Sequence, residues 1–491
     1  MSRRFSRRSF VRGTLAATAA MALPNVTRNV LGANDEISAA TIGVNSRGGS
    51  HIDSLYKVRG VRMVGVCDAD KTVLGRSADS IAKKLPGGMV IAETDVRKLL
   101  DNKAIDVVTI ATPNHWHSLM AIWAMERGKH VYVEKPVSHN VWEGRQAVNA
   151  SRKYKKICQT GTQSRASRKG IGAAVDYVRA GELGKILYAV GTCFKPRQSI
   201  GKLEKPLVIP ANIDYDLWCG PAAKVDLFRP KLHYDWHWDF NTGNGDLGNQ
   251  GIHQMDIARW FLGEQTVSPK VMSIGGRVGY SDAGNTANTQ IIFHDYEKAP
   301  LIFEVRGLPK EKLDWKTGMD NWRGSSVGVL VQCEGGHVVI PNYYSATAYD
   351  KEGKSVKSWR ETDPMTPHVS NFIDGVRSGK QSDLFADIEE GHLSSALCHT
   401  GNISYQLGTK AKADDIREQI KSHKQGAESF DRMAEHLSKN GVDVKDPTLT
   451  IGPWLSMDVK TEKFTNNDAA NKLLTRPYRD GYVVPDLSPL A

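Results

Sequence analysis

Lys135 and His253 are the side chains of this sequence best placed to do chemistry, the first at the end of an apolar run and the second after a glycine-rich stretch. Lys135 closes the run Lys129-His-Val-Tyr-Val-Glu134 and is followed by Pro136. A second run, Asp106-Val-Val-Thr-Ile-Ala-Thr112, ends about twenty residues earlier in Pro113-Asn114-His-Trp-His117. Two neighbouring strand ends aimed at one crevice are how an open parallel sheet builds a ligand site. An ammonium placed there stabilises a developing alkoxide, the requirement for moving a hydride at a hydroxyl carbon. Thr112, Pro113, Asn114 and His117 are expected to shape a nicotinamide pocket, with Glu134 and Lys135 beside it. A lone Glu-Lys-Pro is otherwise a solvated strand exit, so the pair of strand ends carries the reading.

The segment Gly43-Val-Asn45-Ser46-Arg47-Gly48 reads as a turn between a strand and a helix. Glycines there allow a tight turn and close helix packing, so that the helix N-terminus faces a pyrophosphate. Asn45 replaces the middle glycine of the usual fingerprint and tolerates left-handed geometry better than most residues. Asp68 closes the following strand twenty residues after Gly48, a spacing that suits a carboxylate accepting ribose hydroxyls. The carboxylate favours NAD, while Lys71 and Arg76 nearby leave NADP open.

A third group is Asn249, His253 and Asp256, expected on one helix face at i, i+4 and i+7 after the glycine-rich Gly243-Asn-Gly-Asp-Leu-Gly248. An imidazole is tuned to pass a hydroxyl proton near neutral pH, although a helical histidine is more often structural. Asn249, His253 and Lys135 form the expected catalytic set. The aromatic run His233-Tyr234-Asp-Trp236-His-Trp238-Asp-Phe240 offers rings that stack on sugar C–H faces, or else a packed loop. Tyr234, Trp236, Trp238, Asp256 and Arg165 are the expected substrate contacts, and Arg165 reads equally well as a surface arginine.

Strand and helix alternate from Ser38 to Thr160, which predicts an α/β chain whose first part is a doubly wound parallel sheet of the Rossmann type. Beyond Gln163, strands joined by short turns predict an α+β domain with a mostly antiparallel sheet. The expected divisions are a leader over 1–33, a dinucleotide-binding domain over 34–163, a substrate and oligomerisation domain over 164–408, and a C-terminal helix and wrapping tail over 409–491. The open face of the second sheet is the expected surface for a homo-oligomer.

A length of 491 residues exceeds one ordinary domain, and 40% hydrophobic with 24% charged residues fits a globular protein. The formal charge of +11 includes six arginines within residues 1–33, which leaves no basic stripe for nucleic acid. Six scattered cysteines lack metal-ligand spacing, so no metal is expected; they read as small buried residues, with one chance disulfide possible. Ser6-Arg7-Arg8-Ser9-Phe10 before the apolar run Leu15–Leu23 reads as a twin-arginine export signal, too short to span a bilayer, or as a basic tail. It predicts the twin-arginine translocase as a transient partner and a periplasmic or otherwise exported protein with no integral membrane segment. Since free dinucleotide is not expected outside the cytoplasm, the cofactor would be loaded first and held tightly.

Over residues 38–408 the glycine turn, Asp68, the Thr-Pro-x-His segment, Glu-Lys-Pro and the Gly-x-His helix resemble, in order, the Gfo/Idh/MocA family of sugar oxidoreductases. The resemblance implies NAD(P)-dependent oxidation or reduction of a sugar or cyclitol hydroxyl, with Lys135 binding the substrate oxygen. Where family members often carry aspartate, this chain has Asn249, which cannot hold a negative charge beside His253. Some relatives are glycosidases that work by transient oxidation and elimination, and these are expected to lack the lysine found here at 135. A carbohydrate-binding protein without catalysis is the remaining alternative.

Overall fold

The structure is a computed structural model that describes residues 36–85 and 87–488. The expected twin-arginine leader over 1–33 lies outside the described residues. Six parallel strands form the first sheet: β1 (Ile37–Ile42), β2 (Val61–Cys67), β3 (Ile91–Glu93), β4 (Val107–Ile110), β5 (His130–Val133) and β6 (Cys158–Thr160). Their order is β3-β2-β1-β4-β5-β6, which is the doubly wound arrangement with its topological switch between β1 and β4. All residues of β1 and β4 are buried, as expected for strands covered by helices on both faces. Asp70 starts the helix Lys71–Ala82 by accepting from the Thr72 and Val73 amides, and Asn140 does the same for Val141–Lys153 through the Glu143 amide.

The second sheet holds β7 (Ile186–Phe194), β8 (Lys270–Gly276), β9 (Thr289–His294), β10 (Leu301–Arg306), β11 (Val327–Cys333), β12 (Gly336–Ile340), β13 (Ser345–Asp350), β14 (Ser355–Arg360), β15 (Thr409–Ala411) and β16 (Leu449–Ile451). Its order is β14-β13-β12-β11-β7-β10-β9-β8-β16-β15, and β17 (Leu455–Asp458) adds to β8. Only β7 and β10 pair in parallel, so the sheet is mixed and mostly antiparallel. One face packs on the helices Ile252–Leu262 and Ile388–Gln406.

The opposite face, where an oligomerisation surface is expected, is covered in part. Over β8, β9 and β10 it is covered by the chain's own helices Ala413–Ile420 and Lys424–Lys439. Ile416, Ile420, Phe430 and Met433 share an apolar core with Ile274, Ile291, Phe293 and Ile302. Each fully buried side chain of this kind contributes about 1.5–3 kcal/mol, so the cover is firmly held. The single C-terminal helix expected within 409–491 is two helices, broken at residues 421–423.

The C-terminal tail packs against the first sheet. Tyr482 and Val484 join the core of the first sheet. Arg479 bonds the Asp216 side chain and the Gly220 carbonyl, Arg476 bonds Asn241, and the Tyr478 hydroxyl donates to Glu143 at 3.1 Å. All six cysteines are buried and free, so no disulfide forms. Among the described residues no helix is long and apolar enough to cross a membrane, and no cluster of His, Cys, Asp and Glu is built for a metal.

Candidate active site

A cleft of about 500 Å³ runs from the end of β2, past the ends of β1, β4 and β5, to the start of the helix carrying His253. Its nucleotide half is built by backbone. Gly43 follows β1 at φ +75°, and a Cβ there would lie 2.8 Å from the main chain of Ala111 and Thr112. A Cβ on Gly48 would overlap the Gly43 carbonyl at 1.8 Å, so both glycines let the helix Arg47–Leu55 sit against the strand end. That helix has no side-chain cap; its Gly48 amide donates to the Asn45 carbonyl at 3.0 Å, and Asn45, Ser46 and Arg47 line the groove at its start.

Asp68 lines the same groove, accepting from the Val44 amide through Oδ2 and the Asp70 amide through Oδ1, each at 3.0 Å. Burial raises its carboxyl above the ordinary range against those two bonds. The glycine cradle, the uncapped helix start and the carboxylate at the second strand end together fit a dinucleotide. These residues would hold its pyrophosphate and adenosine ribose.

The strand ends meet at the centre. His117 lines the cleft and braces it, with Nδ1 2.6 Å from the Pro136 carbonyl and Nε2 2.8 Å from that of Thr112. Asn114 donates to Asn244 Oδ1 at 3.0 Å and so ties this loop to the glycine-rich segment before His253. Glu134 is buried. Its Oε1 takes Arg47 Nε at 2.6 Å and His51 Nε2 at 3.0 Å, while Oε2 takes the Lys135 amide at 3.2 Å. Burial pushes this carboxyl up, but Arg47, His51 and Lys135 together hold it well below the ordinary range. Glu134 thus fixes the wall of the cleft with a charge already taken up by its neighbours.

The Lys135 ammonium donates to the main-chain carbonyl of Asn249. Burial, then the charge of Arg47 and Lys195, brings its pKa down to about 8 against the pull of Glu134. His253 stands on the same cleft, its ring 4.8 Å from that of Tyr343. Burial first, and Lys135 second, lower His253 well below the ordinary histidine value, so the ring is a neutral base. Lys135, Asn249 and His253 all line this cleft, but the local geometry differs from a continuous helix. Leu247–Gly251 is a π-turn, and the α-helix begins only at Ile252, so Asn249 reaches Lys135 through its backbone.

Three expected substrate contacts are corrected. Asp256 turns away from the cleft and is buried, receiving three bonds from Arg165 at 2.8–3.1 Å and one from Ser394 Oγ at 2.7 Å. Arg165 is buried with it and also meets Glu390 at 3.0 Å, because a carboxylate withdrawn from water needs a cation beside it. Trp238 is buried under the Arg197 guanidinium at 4.9 Å and does not line the cleft. Tyr234 and Trp236 do line it, together with His233 and His237 of the same run and with Trp218 and Tyr343, which the sequence did not single out. The aromatic run stood out by composition, whereas Trp218 and Tyr343 come from distant segments and carry no local signal.

Comparison with known proteins agrees with this geometry. The model of the oxidoreductase family with an NAD-binding Rossmann fold, named GFO_IDH_MocA, matches residues 37–162, and the model of its C-terminal alpha/beta domain matches residues 186–311. Together they span just over half of the chain. A glycosyl hydrolase family 109 protein from Shewanella baltica is 31% identical over 204 residues, 37% of this chain and 44% of that protein. An alpha-N-acetylgalactosaminidase from Shewanella oneidensis is 29% identical over the same shares. The chain thus spans less than half the length of these curated relatives.

An oxidoreductase domain protein from Kribbella flavida superposes with a TM-score of 0.56 at 18% identity, covering 75% of this chain and 96% of that one. The WlbA dehydrogenase from Bordetella pertussis, solved with NADH and UDP-GlcNAcA, gives 0.54 at 18%, covering 74% and 94%. At such identities the likeness is one of fold. By both of its domain models, the chain belongs to the Gfo/Idh/MocA oxidoreductase family, and residues 37–162 are its NAD-binding Rossmann fold.

Proposed function

We propose that the protein is an exported NAD(P)-dependent oxidoreductase that moves a hydride to or from a secondary hydroxyl carbon of a sugar or cyclitol. The supporting observation is that Lys135 and His253 line one cleft with the glycine turn and Asp68. When bound, the dinucleotide supplies the hydride acceptor or donor at its nicotinamide ring. The chain's residues do the rest. His253 takes the hydroxyl proton, and the Lys135 ammonium holds the oxygen as charge develops on it. Asp68 favours NAD over NADP. Tyr234 and Trp236 supply ring faces for the sugar.

The twin-arginine route exports folded cargo, so the dinucleotide is tightly held, and the reaction is either redox-neutral or couples two sugars. The test is to denature protein recovered after export and assay the supernatant for dinucleotide. Reduction of the bound cofactor is then screened against mono- and disaccharides. Protein that releases no dinucleotide would sink the reading.

A second reading is glycoside cleavage by transient oxidation and elimination, and the similarity to family 109 glycosyl hydrolases favours it. Release of free sugar from an aryl glycoside without net NADH would place it first. A carbohydrate-binding role without turnover requires Lys135→Ala to change no measured rate.

A further inference from the structure

The cleft has four histidines on its wall: His117, His233, His237 and His253. Three of these are accounted for. His117 has both ring nitrogens against carbonyls, His233 meets Asp70 at 3.2 Å, and His253 carries the proton transfer proposed above. His237 is different. Its Nδ1 lies 2.5 Å from the Tyr234 carbonyl, which accepts only, so Nδ1 bears the proton and Nε2 is left with a lone pair. Nε2 has no hydrogen-bond partner among the described residues.

The ring is held in place on every side. Trp236 stacks on it at 3.6 Å with 21° between planes, and Tyr234 packs at 4.8 Å. Tyr234 itself adopts φ +64°, a left-handed conformation rare for a bulky residue and concentrated at functional sites. Gly243 lies so close that a Cβ would be 2.6 Å from the His237 main chain. Burial first, and the charges of Lys135, Arg197 and His117, keep the imidazole neutral by lowering its pKa to about 3. Backbone strain, a fixed tautomer and a stacked ring place an acceptor nitrogen on the cleft wall.

We propose that His237 is a second proton acceptor of this cleft, taking the proton from the C–H adjacent to a sugar carbon that stands at the ketone level. The inference rests on the oxidoreductase reading above and extends it to substrates whose oxidised carbon has a C–H neighbour. In the step, the Nε2 lone pair forms the N–H bond and the C–H bond breaks. Its electron pair becomes the C=C of an enolate, and the carbonyl oxygen takes the negative charge beside the Lys135 ammonium. Nothing is oxidised or reduced. Return of the proton restores the ketone; alternatively the enolate re-forms the carbonyl, its pair makes a C=C to the next carbon, and the C–O bond there breaks with its bonding pair going to the departing oxygen, which takes the proton held on Nε2.

The test uses purified holoprotein and, as probe, methyl glucoside already oxidised to a ketone at one secondary carbon, in D2O, with deuterium uptake followed by NMR. The wild type is expected to exchange the adjacent C–H, and His237→Gln to lose at least tenfold in that rate while keeping its bound dinucleotide. Absence of exchange by the wild type, or an equal rate in His237→Gln, overturns the proposal. Should the variant fail to fold, 15N spectra of histidine-labelled wild type decide. An unprotonated Nε2 at neutral pH is expected, and a protonated one overturns the assignment. Because the probe is already oxidised, failure of hydride transfer in the sugar screen counts against the function proposed above and leaves this result standing on its own.

Discussion

Arg47 Nε sits 2.6 Å from the carboxylate of Glu134, joining the first turn of the dinucleotide-binding helix to the strand end that carries Lys135. The Glu134 side chain is 5% exposed and that of Arg47 35%, so only the carboxylate is truly withdrawn from water. Arg47→Met leaves it to His51 and the Lys135 amide and is expected to cost about 2–3 kcal/mol, less than for a fully buried pair. Glu134 titrates below its unfolded value, so its stabilisation is complete above about pH 4.3 and is lost as pH falls through the folded value. Urea denaturation at pH 7 and at pH 3 checks this, and a variant whose loss is the same at both pH values would refute it.

Lys135 gives the activity an alkaline limb. With a pKa near 8, the ammonium is present below that pH and disappears above it, so turnover falls as pH rises through about 8. His253 is already neutral well below its ordinary value, so no acid limb near pH 6.5 is expected. Lys135→Ala is expected to lower kcat by roughly 10²–10³-fold, the scale for losing one donor to a developing oxyanion. A rate that stays flat from pH 7 to pH 10 would remove Lys135 from this role.

Asp68 is expected to set the choice of dinucleotide. Its carboxylate stands where a 2′-phosphate would sit, so Asp68→Ser is expected to raise the affinity for NADP relative to NAD at least tenfold. Fluorescence titration of apoprotein with each dinucleotide measures it, and an unchanged ratio would assign the selectivity elsewhere.

Asp70 latches the segment after β7 over the adenosine end of the groove. It accepts from Asn212 Nδ2 at 2.7 Å and meets His233 at 3.2 Å, while the Lys71 amide donates to the Asn212 carbonyl. Asp70→Ala is expected to speed release of bound dinucleotide several-fold, read by dilution into a large excess of competing nucleotide. Unaltered release would mean that the segment does not retain the cofactor.

Much of the nucleotide half was legible because it is local. Gly43, Gly48 and Asp68 lie within one strand–helix–strand unit, and alternating apolar runs mark β1, β2, β4 and β5. Short β3 escaped, since Ile91–Glu93 are only half-buried and leave no apolar run. The substrate half depends on contacts that spacing does not encode. Arg165 and Asp256 lie 91 positions apart, and only the fold shows that they neutralise each other rather than meet a sugar. A π-turn at Leu247–Gly251 looks like an ordinary helix in sequence, so Asn249 was expected to act through its side chain. His237 stood in plain view in the aromatic run, yet its fixed tautomer follows from the left-handed Tyr234, which no residue preference announces.

Arg479 reaches Asp216 across 263 positions of sequence, and Tyr478 reaches Glu143 across 335. Tyr482 and Val484, which complete the core of the first sheet, are therefore made only after every strand of that sheet, so the end of the chain closes the core of the part synthesised first.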